Sequence, residues 1–251
     1  MKITIITAVY NREKTITNAI ASVQSQSHRD IEHLVIDGAS TDKTVAVISK
    51  LLDDRTHCFS EPDNGIYDAL NKGIARASGA VIGMVHSDDF LAHEHVIARV
   101  AEAFADPEIE AVYGDLDYVA SEDTSRIIRR WRPDHFSPAR LRRGWMPPHP
   151  TLFVRQSVFD RLGVYDTRYR IAADYEAILR FFGPGGIKSA YIPEVLVKMR
   201  VGGESNGSLH RILHKSWEDY RALRASSIGG VSALLWKNLS KIEQFLPESK
   251  G

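Results

Sequence analysis

The chain has 251 residues, of which 43% are hydrophobic, so it can bury the core of one large domain or two small ones. It carries 32 basic and 32 acidic residues, and this balance argues against nucleic acid as a partner. Its single cysteine, Cys58, excludes an intrachain disulfide and is typical of a reducing compartment, so we expect a cytoplasmic protein.

The opening segment, MKITIITAVYNREK, predicts a strand rather than a targeting signal. One basic residue precedes a short apolar run that turns polar at once, without a cleavage site. Elsewhere no uninterrupted apolar run approaches the roughly 20 residues that a membrane-spanning helix needs. We therefore expect no membrane-spanning helix.

The first ninety residues alternate between strand-like and helix-like segments. The β-branched run at 3–9 predicts a strand, and apolar residues at helical spacing in 15–26 predict a helix after it. Strands that alternate with helices are joined by right-handed crossovers and form a mostly parallel sheet. The alternation continues with predicted strands at 32–38, 56–62 and 79–86 and predicted helices at 42–52 and 66–77.

The second half is less regular but still alternates. A strand is predicted at 109–119, and the segment at 126–131 is expected to pair with it. From Leu209 onward the pattern is helical, with a break at 227–230. The other predicted elements are helices at 93–105, 155–163 and 172–182 and a short strand, TLFV, at 151–154.

Polar residues follow three of the predicted strands. Tyr10 and Asn11 follow the first, Asp37 ends the second, and Asp88 and Asp89 follow the strand at 79–86. The carboxyl ends of parallel strands share one edge of a sheet, where ligands bind. Two adjacent carboxylates at the rim of a core repel each other, and a hard divalent cation would stabilise them. The ring of Tyr10 and the carboxylate of Asp37, beside the aspartate pair, suit the binding of a nucleoside.

Each of these residues also has a simpler interpretation. Asn11 is a common helix-capping residue, Asp37 precedes a glycine in a turn, and adjacent aspartates in a loop usually face water. A second pair, Asp115 and Asp117, alternates along a predicted strand and is the alternative metal site or part of an acceptor groove. The convergence at one sheet edge favours Asp88 and Asp89.

Long stretches of the sequence resemble family 2 glycosyltransferases of the GT-A fold, especially bacterial enzymes of surface-polysaccharide biosynthesis. The matching stretches cover most of residues 3–182, in the order that the family shows. They are ITAVYNREKTITNAIASVQSQSHRDIEHLVIDGASTDKT, SEPDNGIYDALNKGIARASGAVIGMVHSDD and LGVYDTRYRIAADYEAILR.

The resemblance implies an α/β fold with a Rossmann-like, mostly parallel sheet flanked by helices. Residues 1–207 would form the GT-A domain, with 1–90 as its nucleotide-sugar half and 91–207 as its acceptor half. Residues 208–251 would form a helical C-terminal tail. The implied reaction is inverting transfer from a nucleotide-diphosphate sugar, with UDP as the expected nucleotide, to a hydroxyl of a glycan or lipid-linked acceptor. It implies Mn²⁺ or Mg²⁺ as cofactor.

The resemblance also implies roles for individual residues. Tyr10 and Asp37 would contact the nucleoside, Asp88 the ribose or sugar, and Asp89 the metal, with Asp174 as the catalytic base. Two positions depart from the family pattern. Gly38 stands where the family has a second acidic residue after Asp37, which leaves the identity of the donor nucleobase open. Ala173 stands where the family has a Glu before the catalytic Asp.

Further residues are placed near the donor or the acceptor. Asn11, at the end of the first strand, is assigned to donor binding. Gly65 and Asp68 are assigned to it as well, because the Asn64–Gly65 turn brings a helix start to the diphosphate. His149, between prolines, and Arg200, in a glycine-rich loop predicted at 199–208, are candidate contacts to the acceptor or diphosphate. The simpler interpretation of Asp68 and His149 is a side chain that faces solvent, and that of Arg200 is a residue of a connecting loop.

The basic and aromatic segments RIIRRWRP and ARLRRGW suit the anionic headgroups at the inner face of a membrane or a lipid-diphosphate acceptor. Nucleic acid binding, or a role in solubility alone, is the alternative. The amphipathic tail segment ALLWKNLSKIEQFL is expected to pack on the core or to form a homodimer, with membrane contact as a further hypothesis. Two other functions stay open: a non-catalytic nucleotide-sugar-binding protein of the same fold, and a dinucleotide oxidoreductase. The first turn lacks the Gly-x-Gly-x-x-Gly pattern of the latter.

Overall fold

The computed structural model describes residues 1–201 and 209–239. Strands and helices alternate as the apolar pattern predicts. The strands are β1 (Ile3–Val9), β2 (Ile31–Asp37), β3 (Thr56–Ser60), β4 (Val81–Met84), β5 (Phe90–Leu91), β6 (Ala111–Val119), β7 (Ile127–Trp131), β8 (Phe153–Arg155) and β9 (Ser189–Arg200). The helices are α1 (Ile16–Gln24), α2 (Thr44–Ile48), α3 (Ile66–Arg76), α4 (Val96–Ala103), α5 (Pro138–Leu141), α6 (Gln156–Leu162), α7 (Ala173–Phe182), α8 (Leu209–Ala225) and α9 (Val231–Leu239).

The strands of the described residues form one sheet in the order β3-β2-β1-β4-β8-β6-β9-β5, and β7 pairs with β6. The pairs β1–β2, β1–β4 and β2–β3 are parallel, as predicted for the first ninety residues. Every residue of β1 is buried, which explains its nearly continuous β-branched sequence, because helices cover both faces of a parallel sheet. The mostly parallel α/β prediction is confirmed.

Helices pack on both faces of the sheet and enclose two apolar cores. One core joins Ile6 and Leu70 to Tyr175 of α7, and the other joins Ile5 and Ile20 of α1 to residues of α4. The helix α3 lies close against β1 at Gly73, where an added Cβ would fall 2.6 Å from a methyl carbon of Ile6. These contacts fix the start of α3, and the start of α7, beside the same sheet.

The sequence analysis did not predict β9, the longest strand of the described residues. It runs parallel to β6 with register shifts on either side of Asp115, and it pairs antiparallel with β5. Pro193 and the exposed Glu194 interrupt the alternation that normally reveals a strand. The predicted loop at 199–208 is therefore wrong at its start, because Met199 and Arg200 end β9. Its remainder after 201 lies outside the described residues.

The described part of the tail packs on the core, as one of the predictions for it states. Ala222 and Leu223 of α8 and Ala233 of α9 are buried in the core that contains α7. Trp217, Leu235 and Trp236 remain exposed, and dimerisation and membrane contact stay predictions. None of the helices that the structure describes combines the length and apolar character that crossing a bilayer requires.

Candidate active site

The carboxyl ends of β1, β2 and β4 lie next to one another at one edge of the sheet. Val9, at the end of β1, pairs with Asp37 at the end of β2, and β4 follows β1 on its other side. The loops that continue these strands carry the three polar groups singled out in the sequence. This edge is the candidate active site.

Asp37 and Asn11 hold the loops after β1 and β2 together. Asp37 is buried, and its carboxylate accepts hydrogen bonds from the amide and hydroxyl of Ser40 and from the hydroxyl of Ser60. Asn11 has a φ of 51°, and its side-chain oxygen accepts from the Thr41 amide at 2.8 Å. Tyr10, beside them, is 53% exposed, so its ring is available to a ligand at this edge.

Asp89 is a buried carboxylate with an incomplete set of partners. Its Oδ1 accepts from the Arg200 amide at 3.2 Å, whereas its buried Oδ2 has no hydrogen-bond partner among the described residues. Burial, together with the neighbouring charge of Asp88, raises the pKa of Asp89 well above its usual value. A buried acceptor without a partner is destabilising, and a cation at Oδ2 would relieve that cost.

Arg200 joins the end of β9 to the turn that carries Asp88 and Asp89. Its guanidinium donates to the carbonyl oxygen of Asp88 at 2.6 Å and lies 4.9 Å from the ring centroid of Phe90. The antiparallel pairing of β5 with β9 brings these residues together. Arg200 therefore fixes the backbone of the aspartate turn.

The alternative pair, Asp115 and Asp117, has a cation within the protein. The Nε of Arg132 lies 3.1 Å from Asp115, and its Nη1 lies 2.9 Å from Asp117. Tyr191 also donates to Asp115 at 2.6 Å. Within residues 1–201 and 209–239, no group of three or more His, Cys, Asp or Glu side chains could hold a metal ion. Among the described residues Asp117 Oδ1 also lacks a hydrogen-bond partner, but its charge is already paired with Arg132, so Asp89 Oδ2 fits a further cation better.

Asp174 is the second residue of α7, and Tyr67 holds it from α3. The Tyr67 hydroxyl lies 3.1 Å from Asp174 Oδ1 and 2.8 Å from the carbonyl oxygen of Ile171. Burial alone would raise the pKa of Asp174, but the charges of His149, Lys215 and Lys237 and the Tyr175 amide lower it overall. Asp174 is therefore an ionised carboxylate at neutral pH, as a proton acceptor must be.

His149 lies in a buried aromatic group beside Asp174. Its Nε2 is 2.8 Å from the Tyr165 hydroxyl, and its ring centroid is 5.8 Å from that of His86. Burial lowers the pKa of His149 to about 4, although the charge of Asp174 acts in the opposite direction. The His149 imidazole is therefore neutral at pH 7.

His86 and Tyr118 link the aspartate turn to Asp174. Burial lowers the pKa of His86, whereas the charges of both Asp88 and Asp174 raise it. Burial raises the pKa of Tyr118, and the charges of Asp89 and Asp174 add to this effect. Each side chain thus lies within electrostatic reach of both acidic groups. Contacts between rings also connect the aspartate turn to Asp174. His86 accepts a hydrogen bond from the Asp89 amide through its carbonyl oxygen, and its ring centroid lies 5.8 Å from that of His149. His149 contacts Tyr165, whose ring centroid lies 5.7 Å from that of Tyr67, the residue that contacts Asp174. The aspartate turn and Asp174 therefore border one shared region, which these rings line.

The turn before α3, predicted to bind the donor, has glycine in a conformation that favours it, whereas the Asp68 carboxylate contacts residues of the same turn and helix. Gly65 precedes α3 with a φ of 112°, a conformation that L side chains rarely adopt. Asp68 accepts from the Asn64 amide at 3.0 Å and lies 3.5 Å from Lys72 Nζ. Asp68 therefore stabilises this turn.

Sequence reasoning missed Tyr67, His86 and Tyr165 as site residues. Tyr67 follows the Asn64–Gly65 turn by two residues, and His86 precedes the aspartate pair by two, so their positions beside motifs are the signal that was available. Tyr165 carries no such signal, because only the packing of the fold brings it to His149.

Comparisons with known proteins agree with this fold. The model of the family "Glycosyl transferase family 2" matches residues 4–163. An uncharacterized glycosyltransferase of Mycobacterium tuberculosis is 35% identical over 182 residues, which are 71% of this chain and 68% of that protein.

Two solved structures share the fold at 17% sequence identity, each with a TM-score of 0.63. They are S. aureus TarS 1-349 in complex with UDP, with 89% of this chain and 72% of that one covered, and a mannosyltransferase of Pyrobaculum calidifontis in complex with GDP-Man and Mn²⁺, with 96% and 80% covered. In another TarS structure the match covers 39% of that chain. The sequence matches show that this chain belongs to glycosyl transferase family 2.

Proposed function

We propose that the protein transfers a sugar from a nucleotide-diphosphate donor, with UDP as the nucleotide, to a hydroxyl of a glycan or lipid-linked acceptor, with inversion. The observation that carries this proposal is the shared region between the aspartate turn and Asp174. Asp89, whose buried Oδ2 has no hydrogen-bond partner among the described residues, and Asp174, whose pKa is lowered, border this region. Metal-assisted inverting transfer uses a cation to stabilise the leaving diphosphate and a base to accept the proton of the acceptor hydroxyl.

The donor would lie at the carboxyl ends of β1, β2 and β4. The exposed ring of Tyr10 would stack on the base, and the loops that Asp37 and Asn11 organise would hold the nucleoside. Gly65 and Asp68 would shape the turn beside the diphosphate, and Asp88 would contact the ribose or sugar. Asp89 would hold Mn²⁺ or Mg²⁺, which when bound supplies positive charge to the leaving diphosphate.

Asp174 would accept the proton of the acceptor hydroxyl while that oxygen attacks the anomeric carbon. The bond between the anomeric carbon and the diphosphate oxygen breaks in the same step, and displacement from the opposite face inverts the anomeric centre. Tyr67 would orient the Asp174 carboxylate through its hydroxyl. His149, neutral in its buried position, would lie on the side of the site where the acceptor binds. Arg200 would hold the backbone of the aspartate turn.

The substitution Asp174→Asn tests this proposal. It removes the proton acceptor and keeps the side-chain volume, so sugar transfer should fall by about 10²–10⁴-fold while donor binding is kept. Donor binding is measured by thermal shift with a panel of nucleotide sugars and Mn²⁺, because a ligand of the folded state raises the unfolding temperature.

Asp160→Asn, on an exposed residue of α6, is the matched control and should leave transfer unchanged. Transfer at the wild-type rate in Asp174→Asn would remove Asp174 from the mechanism. A wild-type protein that binds a nucleotide sugar but transfers it to no acceptor hydroxyl would instead favour the non-catalytic binding function.

A further inference from the structure

The segment that precedes the base helix has no capping side chain of its own. α7 begins at Ala173, and Ala172, the residue before it, offers no side-chain oxygen to the free amides of the first turn. Such amides need acceptors, particularly when they are buried, as Ala172 is. The position of Asp174 at the start of α7 therefore depends on what holds residues 170–172.

A carboxylate from the tail holds this segment. Glu218 of α8 is 1% exposed, and it accepts three backbone hydrogen bonds from consecutive residues, Arg170, Ile171 and Ala172, at 2.9, 2.8 and 2.9 Å. Hydrogen bonds to an ionised acceptor are stronger than those between neutral groups. The three amides and the buried carboxylate satisfy one another.

Tyr67 holds the same segment from the opposite side. Its hydroxyl donates to the carbonyl oxygen of Ile171 and also contacts the Asp174 carboxylate. Ile171 is therefore fixed through its amide by Glu218 and through its carbonyl by Tyr67. Any shift of this residue would be passed on to Asp174 through the Tyr67 hydroxyl and through the backbone.

We propose that Glu218 is a positioning residue for the general base, so that the C-terminal tail completes the active site. This inference rests on the proposed function, because it assigns Glu218 a role only through Asp174. Glu218 would act on the rate of proton acceptance without contact to the donor.

The charges of the tail support the same role. Lys215 of α8 and Lys237 of α9 both lower the pKa of Asp174. Lys237 is itself buried, 2.7 Å from Asp219 and 3.2 Å from the ring centroid of Tyr175, so its charge is held beside α7. The docked tail thus contributes positive charge near the base in addition to the contacts of Glu218.

The test replaces Glu218 with Gln in the full chain. The substitution keeps the volume but removes the charge that accepts from three amides. Since small displacements of a catalytic group cost up to about 10²-fold in rate, we expect kcat to fall by about that factor. The donor KM should stay within about twofold, because binding energy common to substrate and transition state is untouched. Hydrogen exchange at the amides of residues 170–172 should become faster.

Glu32→Gln is the matched control. Glu32 also accepts from a backbone amide, that of Ser78 at 2.8 Å, and from Thr4 at 2.6 Å, but at the opposite edge of the sheet. It should lose stability without loss of kcat. If Glu218→Gln does not fold, Glu218→Asp keeps the charge and withdraws it by one methylene, and it should show the same pattern with a smaller loss.

A kcat of Glu218→Gln equal to that of Glu32→Gln would overturn the inference, as would a parallel loss of kcat and donor affinity in both variants. Asp174→Asn is measured alongside. Full transfer by Asp174→Asn contradicts the proposed function itself, whereas loss of transfer in Asp174→Asn with full transfer in Glu218→Gln contradicts only the role of Glu218.

Discussion

We predict that the protein loses stability as the pH falls below about 6.5, because it buries two histidines as neutral imidazoles. His33 in β2 is buried and lies 3.0 Å from the Thr7 hydroxyl, and His149 lies 2.8 Å from the Tyr165 hydroxyl. Burial lowers the pKa of His33 from 6.5 to about 3 and that of His149 from 6.5 to about 4. Both imidazoles are therefore neutral in the folded protein under mildly acidic conditions.

The sign and size of the effect follow from proton linkage. Below the unfolded pKa of 6.5 the unfolded chain binds more protons than the folded protein, so the free energy of unfolding falls with pH. Each histidine makes its full contribution to the free energy of unfolding above that value. This contribution is lost progressively as the pH falls from there to the folded pKa. At about pH 5 each costs about 2 kcal/mol, because one pH unit corresponds to about 1.4 kcal/mol.

Urea unfolding of the wild type, His33→Gln and His149→Gln at about pH 8 and about pH 5 measures this effect. Each substitution should reduce the pH-dependent loss by about 2 kcal/mol relative to the wild type, since the other titrating groups cancel in the comparison. The reasoning is refuted if both variants lose as much stability as the wild type between the two pH values.

Three further substitutions test the site and its supports. Tyr67→Phe removes the hydroxyl that contacts Asp174 and should lower kcat by about 10–100-fold in steady-state assays, since a hydrogen bond to a charged group contributes about 1.5–3 kcal/mol; an unchanged kcat would contradict the orienting role. Gly65→Ala places a side chain at a φ of 112° and should cost about 1–3 kcal/mol in urea unfolding, whereas Gly230→Ala, with open space around the added carbon, is the control and should cost less. Gly73→Ala brings a Cβ to 2.6 Å from Ile6 and should lower the unfolding temperature, and equal stability would contradict the close packing of α3 on β1.

The sequence predicted the elements whose apolar pattern is local. The run ITIITAV is apolar or β-branched throughout, and such runs form buried parallel strands, as β1 does. β9 escaped prediction because its long pairing with β6 is remote in sequence and Pro193 lies within it. Local patterns carry no information on such partners.

The site shows the same division. The sequence predicted that the polar residues after β1, β2 and β4 lie together, because parallel neighbouring strands bring their carboxyl ends to one edge of the sheet. The partners that decide their chemistry come from distant segments: Arg200 lies 111 residues from Asp89, and Glu218 lies 46 residues from Ala172. No spacing in the sequence indicates these contacts, since only the packing of the tail and β9 creates them.

The most direct test of the account measures UDP binding by calorimetry, with and without Mn²⁺, for the wild type, Asp89→Asn and Asp117→Asn. Both aspartates have a buried oxygen without a hydrogen-bond partner among the described residues, but that of Asp117 lies 2.9 Å from the Arg132 guanidinium. We predict Mn²⁺-dependent binding by the wild type and Asp117→Asn and none by a folded Asp89→Asn. Mn²⁺-dependent binding by Asp89→Asn, or its loss only in Asp117→Asn, would contradict the account.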